Sequence, residues 1–380
     1  FLPALVLSIL SAHQAPKGNT MLSISRLYCV FFAMLISICG EGMAAETADT
    51  IYLGGPIITI NDKAPRAEAV AVADGVILAV GGRDSVMAYK GEGTEIYDLQ
   101  SRAMLPGFVD SHGHAVMGGL QALSANLLAP PDGEVKDIAS LQETLRTWMA
   151  ANSETVELAQ LIVGFGYDQS QLKELRHPAR DELDAVSTEI PIIIVHQSGH
   201  FGVANSKALQ LTGITAESAN PAGGIIRKGE DGEPNGVLEE NAFFKVLSGL
   251  MAGLGEQGLR AFANAGPRLW ARFGYTTAQE GRAAPAIVEV MKKIASEGGF
   301  KIDVVVYADV MVDRDYIKKN ASRNYTNRMR LGGAKLTIDG SPQGFTAFRD
   351  RPYYDPVGEY ASFYKGYAAV TNEQVTDAID

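Results

Sequence analysis

Cysteine is almost absent from this chain. Of its 380 residues only Cys29 and Cys39 are cysteines, and both precede residue 45. Thiolate catalysis, cysteine metal ligation and a disulfide framework are therefore excluded from everything downstream, which is long enough to build its own core without cross-links. No run of lysine and arginine occurs, and the formal net charge of −11 with a pI near 5.1 leaves no concentrated basic face for a nucleic acid. The paired glycines at 54–55, 81–82, 223–224 and 332–333 lack the spacing of a phosphate loop or dinucleotide fingerprint, and no nucleophile elbow is present. What remains is an ordinary globular composition, 46% hydrophobic and 20% charged with a mean hydropathy of +0.02. Length allows two or three domains, or one large barrel with an accessory domain.

Phe1 is no natural initiator, and the first methionine is Met21. From there Arg26 supplies a basic start, Leu27–Ile38 an apolar core, and Gly42-Met43-Ala44 or the neighbouring Ala45 a small-residue cleavage site. The apolar core falls short of the ~20 residues of a membrane span. We read 21–45 as a cleaved signal peptide of an exported protein, periplasmic or secreted, with no stable membrane anchor afterwards. Residues 1–20 read as an upstream segment foreign to the native protein. A lipoprotein at Cys39 is disfavoured because Ile38 stands where a small residue is required.

Residues 46–104 carry short strand signals: Ile51–Leu53, Pro56–Ile60, Ala69–Ala73, Val76–Val80 and Glu95–Leu99, with Asp74-Gly75 as a two-residue hairpin turn. This is a small all-β unit, too thin to stand alone. From 105 to 380 the pattern alternates. Strands at Leu105–Val109, Tyr275–Gln279, Ile302–Tyr307 and Lys335–Ile338 are separated by helices near 256–273, 287–294 and 315–321, which implies βαβ units and a parallel sheet. A long insertion, about 115–255, follows the first strand. In it Ser140-Leu-Gln-Glu143 reads as a capping box, Leu161–Phe165 and Pro191–Val195 as buried strands, and 213–240 as a long structured loop. Thr371-Asn-Glu-Gln374 opens a last helix, cut short at Asp380.

Chemistry concentrates at Asp110-Ser-His112-Gly-His114, where the first strand ends. With a side-chain period of two, a strand from Leu105 to His114 sets Asp110, His112 and His114 on one face, and two imidazoles so spaced grip one zinc ion. A lone His-x-His pair in a polar loop carries no chemistry, so the reading depends on further ligands. Lys335 heads a strand in which Lys335, Thr337 and Asp339 share a face. A solvated edge lysine is the plain alternative, but a buried amine can take up carbon dioxide as an anionic carbamate. His196 and His200 flank Gly199 in a loop, where His200 can contact substrate; Glu240, Glu280 and Asp339 are the acids that can face a ligand, ordinary solvated carboxylates being the alternative. His13 and His177 belong to no constellation.

Together these residues resemble the amidohydrolase superfamily, and within it amidohydrolase family 3, which includes N-substituted formamide deformylases. The motifs are Pro106-Gly-Phe-Val-Asp-Ser-His-Gly-His114, Ser198-Gly-His200 with Asn205-Ser206, Gly236-Val-Leu-Glu-Glu240, Phe273-Gly-Tyr-Thr-Thr-Ala-Gln-Glu280 and Ala334-Lys335-Leu-Thr-Ile-Asp339. The resemblance implies an α/β protein, a (β/α)8 TIM barrel of which four strands are present, beside a small β-sandwich. It implies one or two Zn2+ ions, other divalent metals being possible, held by His112, His114 and a carbamylated Lys335. His200, Glu240, Glu280 and Asp339 would bind a small-molecule amide, whose C–N bond, other than a peptide bond, metal-activated hydroxide would cleave. Ser198 stands where that loop usually has an acid, and Glu280 where aspartate is usual. Two further histidine ligands and an aspartate base are expected beyond residue 380. The alternative is an inactive fragment or a binding module keeping a partial metal site. Nothing in the sequence bears on oligomeric state.

Overall fold

A computed structural model describes residues 46–358 and 360–379. The upstream segment 1–20, the signal peptide read at 21–45, both cysteines and His13 lie outside the described residues. The chain divides into two compact units at Pro106/Gly107.

In the first unit the period-two alternation of apolar residues produces a four-stranded sheet, in the order β3-β2-β1-β4. Its strands are β1 (Ala48–Ile58), β2 (Arg66–Ala73), β3 (Val76–Gly81) and β4 (Lys90–Asp98), with a short helix α1 (Arg83–Met87). β1, β2 and β3 pair antiparallel, and β4 joins β1 in parallel. Both residues of the Asp74-Gly75 turn have positive φ, 48° and 75°, as a tight hairpin of matching twist requires. Ile51, Ala69, Ala71 and Val86 form one buried cluster, and Ile57, Val70 and Leu99 another. The two strands expected at 51–53 and 56–60 are one: the register shifts between Leu53 and Ile57, so Gly54-Gly55 is a bulge within β1.

The second unit contains two sheets. One has four strands, β5 (Phe108–Val109), β12 (Tyr275–Ala283), β13 (Asp303–Asp309) and β14 (Met329–Lys335), all parallel and adjacent in chain order. Helices α8 (Gly255–Arg272), α9 (Pro285–Ser296) and α10 (Arg314–Asn320) lead into β12, β13 and β14. Val288, Met291, Ile294, Val304, Val306 and Leu331 are buried in one cluster between helix and sheet.

The insertion opens with α2 (Ala115–Ala122) and builds its own sheet, in the order β10-β11-β9-β8-β7-β6. β6 (Ala125–Asn126), β7 (Ile162–Tyr167) and β8 (Ile192–His196) are parallel; β9 (Phe201–Ala204), β11 (Pro234–Glu240) and β10 (Gly224–Lys228) continue it antiparallel. Five helices accompany the sheet: α3 (Ile138–Ala151), α4 (Ser153–Ala159), α5 (Arg180–Asp184), α6 (Ser206–Leu211) and α7 (Asn241–Ala252). All five residues of β8 are buried, and the first four read as an unbroken apolar run.

Three expectations change here. The segment 213–240 is largely the hairpin β10–β11, its alternation masked by the turn residues around it. Helix α3 starts three residues early, because the Asp137 carboxylate accepts the Ser140 amide at 2.7 Å while Ser140 Oγ takes the Asp137 amide at 3.1 Å. The fourth parallel strand is Met329–Lys335, so Lys335 ends a strand and does not lead one. Pairing with β13 draws Gly332-Gly333 into that strand, and Lys335 lies opposite Asp309. Beyond it the described residues of 336–371 form no helix or strand, and aromatic contacts seat this segment on the β10–β11 hairpin. Tyr360 and Tyr364 rings lie 4.6 Å apart, Arg227 sits 5.3 Å over Tyr360, and Tyr367 hydroxyl donates to Glu239 at 3.1 Å. The Thr371–Gln374 capping box is present and opens α11 (Asn372–Ile379).

Candidate active site at the strand ends

The first strand ends at Val109 because Asp110 takes over its hydrogen bonding. One carboxylate oxygen accepts the His112 amide at 3.2 Å, and the other accepts Trp270 Nε1 at 2.7 Å and the Gln279 amide at 3.1 Å. This turns the chain, so the extended strand expected to His114 does not form and Asp110 serves as a fastener. The two imidazoles nevertheless stay together, with ring centres 5.9 Å apart.

His114 caps the start of α2 but offers its helix no side-chain bond. Glu280, 3% exposed, does so from β12: one oxygen accepts the Val116 amide at 2.7 Å. Its other oxygen accepts the Arg282 amide at 3.1 Å and faces His114 Nδ1 at 3.8 Å. Both oxygens are engaged by the chain itself, so Glu280 holds the His114 segment. The next residue must be small, since a Cβ on Gly281 would lie 2.6 Å from Gly113 O and 3.2 Å from His114 Cε1.

Lys335, half-buried, places Nζ 3.5 Å from His112 Nε2. These residues come from the two edge strands of the four-stranded sheet, about 14 Å apart if the sheet were flat. Both side chains therefore lean over the same face at the same end. His112, His114 and Lys335 are thus brought together from positions 223 residues apart at the extremes.

His200 and Glu240 also meet. His200 Nδ1 is 2.8 Å from one Glu240 oxygen, while the other accepts Thr346 Oγ1 at 2.6 Å. Glu240 is 2% exposed and holds φ 48°, ψ −120°, a strained backbone for a residue with a side chain. Asp339 has a different partner. Its carboxylate accepts the Phe348 amide at 2.9 Å and fastens the 336–371 segment.

Three residues escaped the sequence reading. Arg282 Nε donates to Asp309 at 2.8 Å, and its guanidinium lies 4.5 Å over Phe244, whose ring is also 6.2 Å from His200. Phe244 thereby joins the His200–Glu240 pair to the strand ends. Asp309 was legible in principle, being an acid that closes the apolar run Val304–Ala308 just as Lys335 closes β14. His177, assigned to no constellation, is buried and shares a 3.0 Å hydrogen bond with the Tyr167 hydroxyl. Burial first, then the charges of Arg227 and His196, holds it well below the usual histidine range. Beside it His196 Nε2 faces Asp168 at 3.6 Å, and His196 Nδ1 meets Ser198 Oγ at 2.8 Å. Burial raises the Asp168 carboxyl, but His196, Ser170 and Gln343 outweigh it and hold the group well below the ordinary carboxylate range.

For a metal, the described residues supply only part of a donor set. His112 and His114 offer imidazole nitrogens that suit zinc, whereas an unmodified Lys335 ammonium offers none. No group of three or more His, Cys, Asp or Glu side chains suited to a metal occurs among the described residues.

The parallel sheet thus gathers two imidazoles and an amine at its C-terminal strand ends, with the Glu280 and Asp309 carboxylates close by. The profile of the amidohydrolase family matches residues 95–380, and the chain belongs to that family, in its family 3 branch. Among curated relatives it is 31% identical to an N-substituted formamide deformylase of Arthrobacter pascens over 52% of this chain and 35% of that protein. It is 29% identical to the putative amidohydrolase YtcJ of Bacillus subtilis over 80% of this chain and 56% of that one. A metal-dependent hydrolase of Pyrococcus horikoshii, itself uncharacterised, superposes with a TM-score of 0.62 at 21% identity, over 87% of this chain and 62% of the other, and shares the fold. The chain thus spans roughly a third to three-fifths of the length of these proteins.

Proposed function

We propose that this chain contributes the first four strands of a (β/α)8 barrel, and as a separate unit a small β-sandwich, to a metal-dependent hydrolase of non-peptide amides or related C–N bonds. The observation that carries the reading is the meeting of His112 and Lys335 at 3.5 Å from opposite edges of one parallel sheet, at the end where such barrels do their chemistry. His112 and His114 would hold a divalent ion, for which zinc fits best; bound there, it would supply Lewis acidity and lower the pKa of water.

The chain's own residues have distinct tasks. Glu280 keeps His114 in place and orients its ring. Lys335, by adding carbon dioxide to its neutral amine with loss of one proton, would become an anionic carbamate beside His112. His200, oriented by Glu240, presents a ring to a small-molecule amide from the insertion. Hydrolysis would consume one water and release an amine and a carboxylic acid. The signal-like segment 21–45 supports export, and among the described residues no helix is long and apolar enough to cross a membrane.

The test is elemental analysis after reconstitution with zinc and bicarbonate, together with amine release from a panel of N-substituted formamides. Bound zinc with turnover supports the reading. Failure to bind any divalent metal overturns it. The incomplete donor set among the described residues favours one second reading, a binding module with a partial metal site, which zinc binding without turnover by a protein carrying the remaining barrel strands would establish.

A further inference from the structure

We propose that Arg282 anchors a carboxylate on the substrate, which makes the preferred substrate an amide bearing an acidic group near its scissile bond. This rests on the hydrolase reading for the identity of the site, but the anchor itself is read from geometry.

Arginine has five N–H donors in a planar fork, and a structural ion pair can use the fork in bidentate fashion. Arg176 does so, reaching Glu182 through both Nη atoms at 2.9 and 2.6 Å. Arg282 does not. It spends only Nε on Asp309, at 2.8 Å. The other Asp309 oxygen, Oδ1, accepts the Met311 amide at 2.9 Å. Nη1 and Nη2 of Arg282 receive no hydrogen-bond partner among the described residues, although the side chain is only 27% exposed.

The guanidinium is also rigid. Asp309, 4% exposed, fixes one edge, and Phe244 supports its plane from 4.5 Å. A flexible surface arginine would lose side-chain entropy on capturing an anion; one already clamped and stacked loses much less. The remaining Nη pair is the edge that matches a carboxylate in bidentate fashion.

Its position fits a substrate anchor. Arg282 lies two residues beyond Glu280, which faces His114, and its partner Asp309 is opposite Lys335 across the β13–β14 pairing. Across the Phe244 ring stands His200. An anion held by the Nη pair would therefore sit at the strand ends that carry the candidate chemistry.

The experiment measures calorimetric binding to the full chain, dialysed free of metal so that no ion can bind the acid. The probes are N-formyl derivatives of glycine, β-alanine and 4-aminobutyrate, each beside its methyl ester. At least one acid should bind on the order of 10- to 100-fold tighter than its ester, the range expected of a charged bidentate bond. Arg282→Gln should abolish that preference while leaving ester binding within about twofold, and Arg282→Lys should restore part of it. Equal binding of acid and ester by the unaltered protein overturns the proposal without any variant, as does an equal loss for both in Arg282→Gln. Amine release from uncharged formamides without acid preference refutes the anchor and leaves the hydrolase reading standing. Acid preference lost in Arg282→Gln keeps the anchor even where no amide is turned over.

Discussion

Gly281→Ala is the sharpest single test of how the strand ends are assembled. The added Cβ would lie 2.6 Å from Gly113 O, a backbone atom that no rotamer change can remove. Bringing that pair to 3.0 Å moves the 113–114 segment by about 0.4 Å or more, away from β12 and from the Glu280 carboxylate. Two effects oppose each other. Alanine reduces the entropy of the unfolded chain, which stabilises by about 0.4–1 kcal/mol where the backbone permits it. Overpacking a tight contact costs about 1–3 kcal/mol, and the rigid carbonyl places this site toward the upper part of that range. The expected net loss is about 1–2 kcal/mol, each kcal/mol lowering the thermal midpoint by roughly 2–4 °C. The second consequence concerns His114, whose displacement should weaken zinc binding at least tenfold, since sub-ångström placement governs such sites. Thermal unfolding with and without saturating zinc reads both. Tenfold weaker binding removes about 1.4 kcal/mol of zinc-induced stabilisation at a fixed zinc concentration. If the variant is as stable as the unaltered protein and gains the same stabilisation from zinc, the close packing of β12 against the histidine segment does not matter and the reasoning fails.

Two further perturbations probe the insertion. Thr346→Val keeps shape but removes the donor at 2.6 Å from the buried Glu240 carboxylate. It should cost about 1–3 kcal/mol in urea unfolding, and a change below about 0.5 kcal/mol would show that this bond is idle. His177 stays neutral in the native state, while in the unfolded chain it protonates near pH 6.5. Below that pH the unfolded state binds the extra proton, so stability falls as pH drops from about 6.5 to 5, by up to 1.4 kcal/mol per unit from this group. His177→Gln, which can still meet the Tyr167 hydroxyl, should flatten that slope; an unchanged slope in urea titrations at pH 7 and pH 5 excludes His177 as its source. The depressed Asp168 acts with the same sign only below its unfolded value, near pH 4, so the two groups separate by window.

What the sequence revealed follows from what is local. The apolar runs at Ile192–Val195 and Val304–Val306 announce buried strands because burial on both faces needs no polar alternation. The Asp110-x-His-x-His cluster and Lys335 were legible because their residue types are uncommon at strand ends. The roles of Asp110 and Glu280 were not, because each is decided by donors that arrive from far along the chain: Trp270 and Gln279 for one, Val116 for the other. Arg282 looks like any arginine until its partner, supporting ring and unfilled edge are known together. The end of β14 was misjudged for a related reason, since a strand containing Gly332-Gly333 exists only because β13 supplies its ladder.

The distance in sequence between His112 and Lys335 has a consequence for folding. Closing a loop of 223 residues costs entropy that only a completed β5–β12–β13–β14 sheet recovers. The first histidines are synthesised early, yet they acquire their neighbour only after the fourth strand docks. A chain caught with its insertion folded but β14 undocked would hold His112 and His114 without Lys335 beside them.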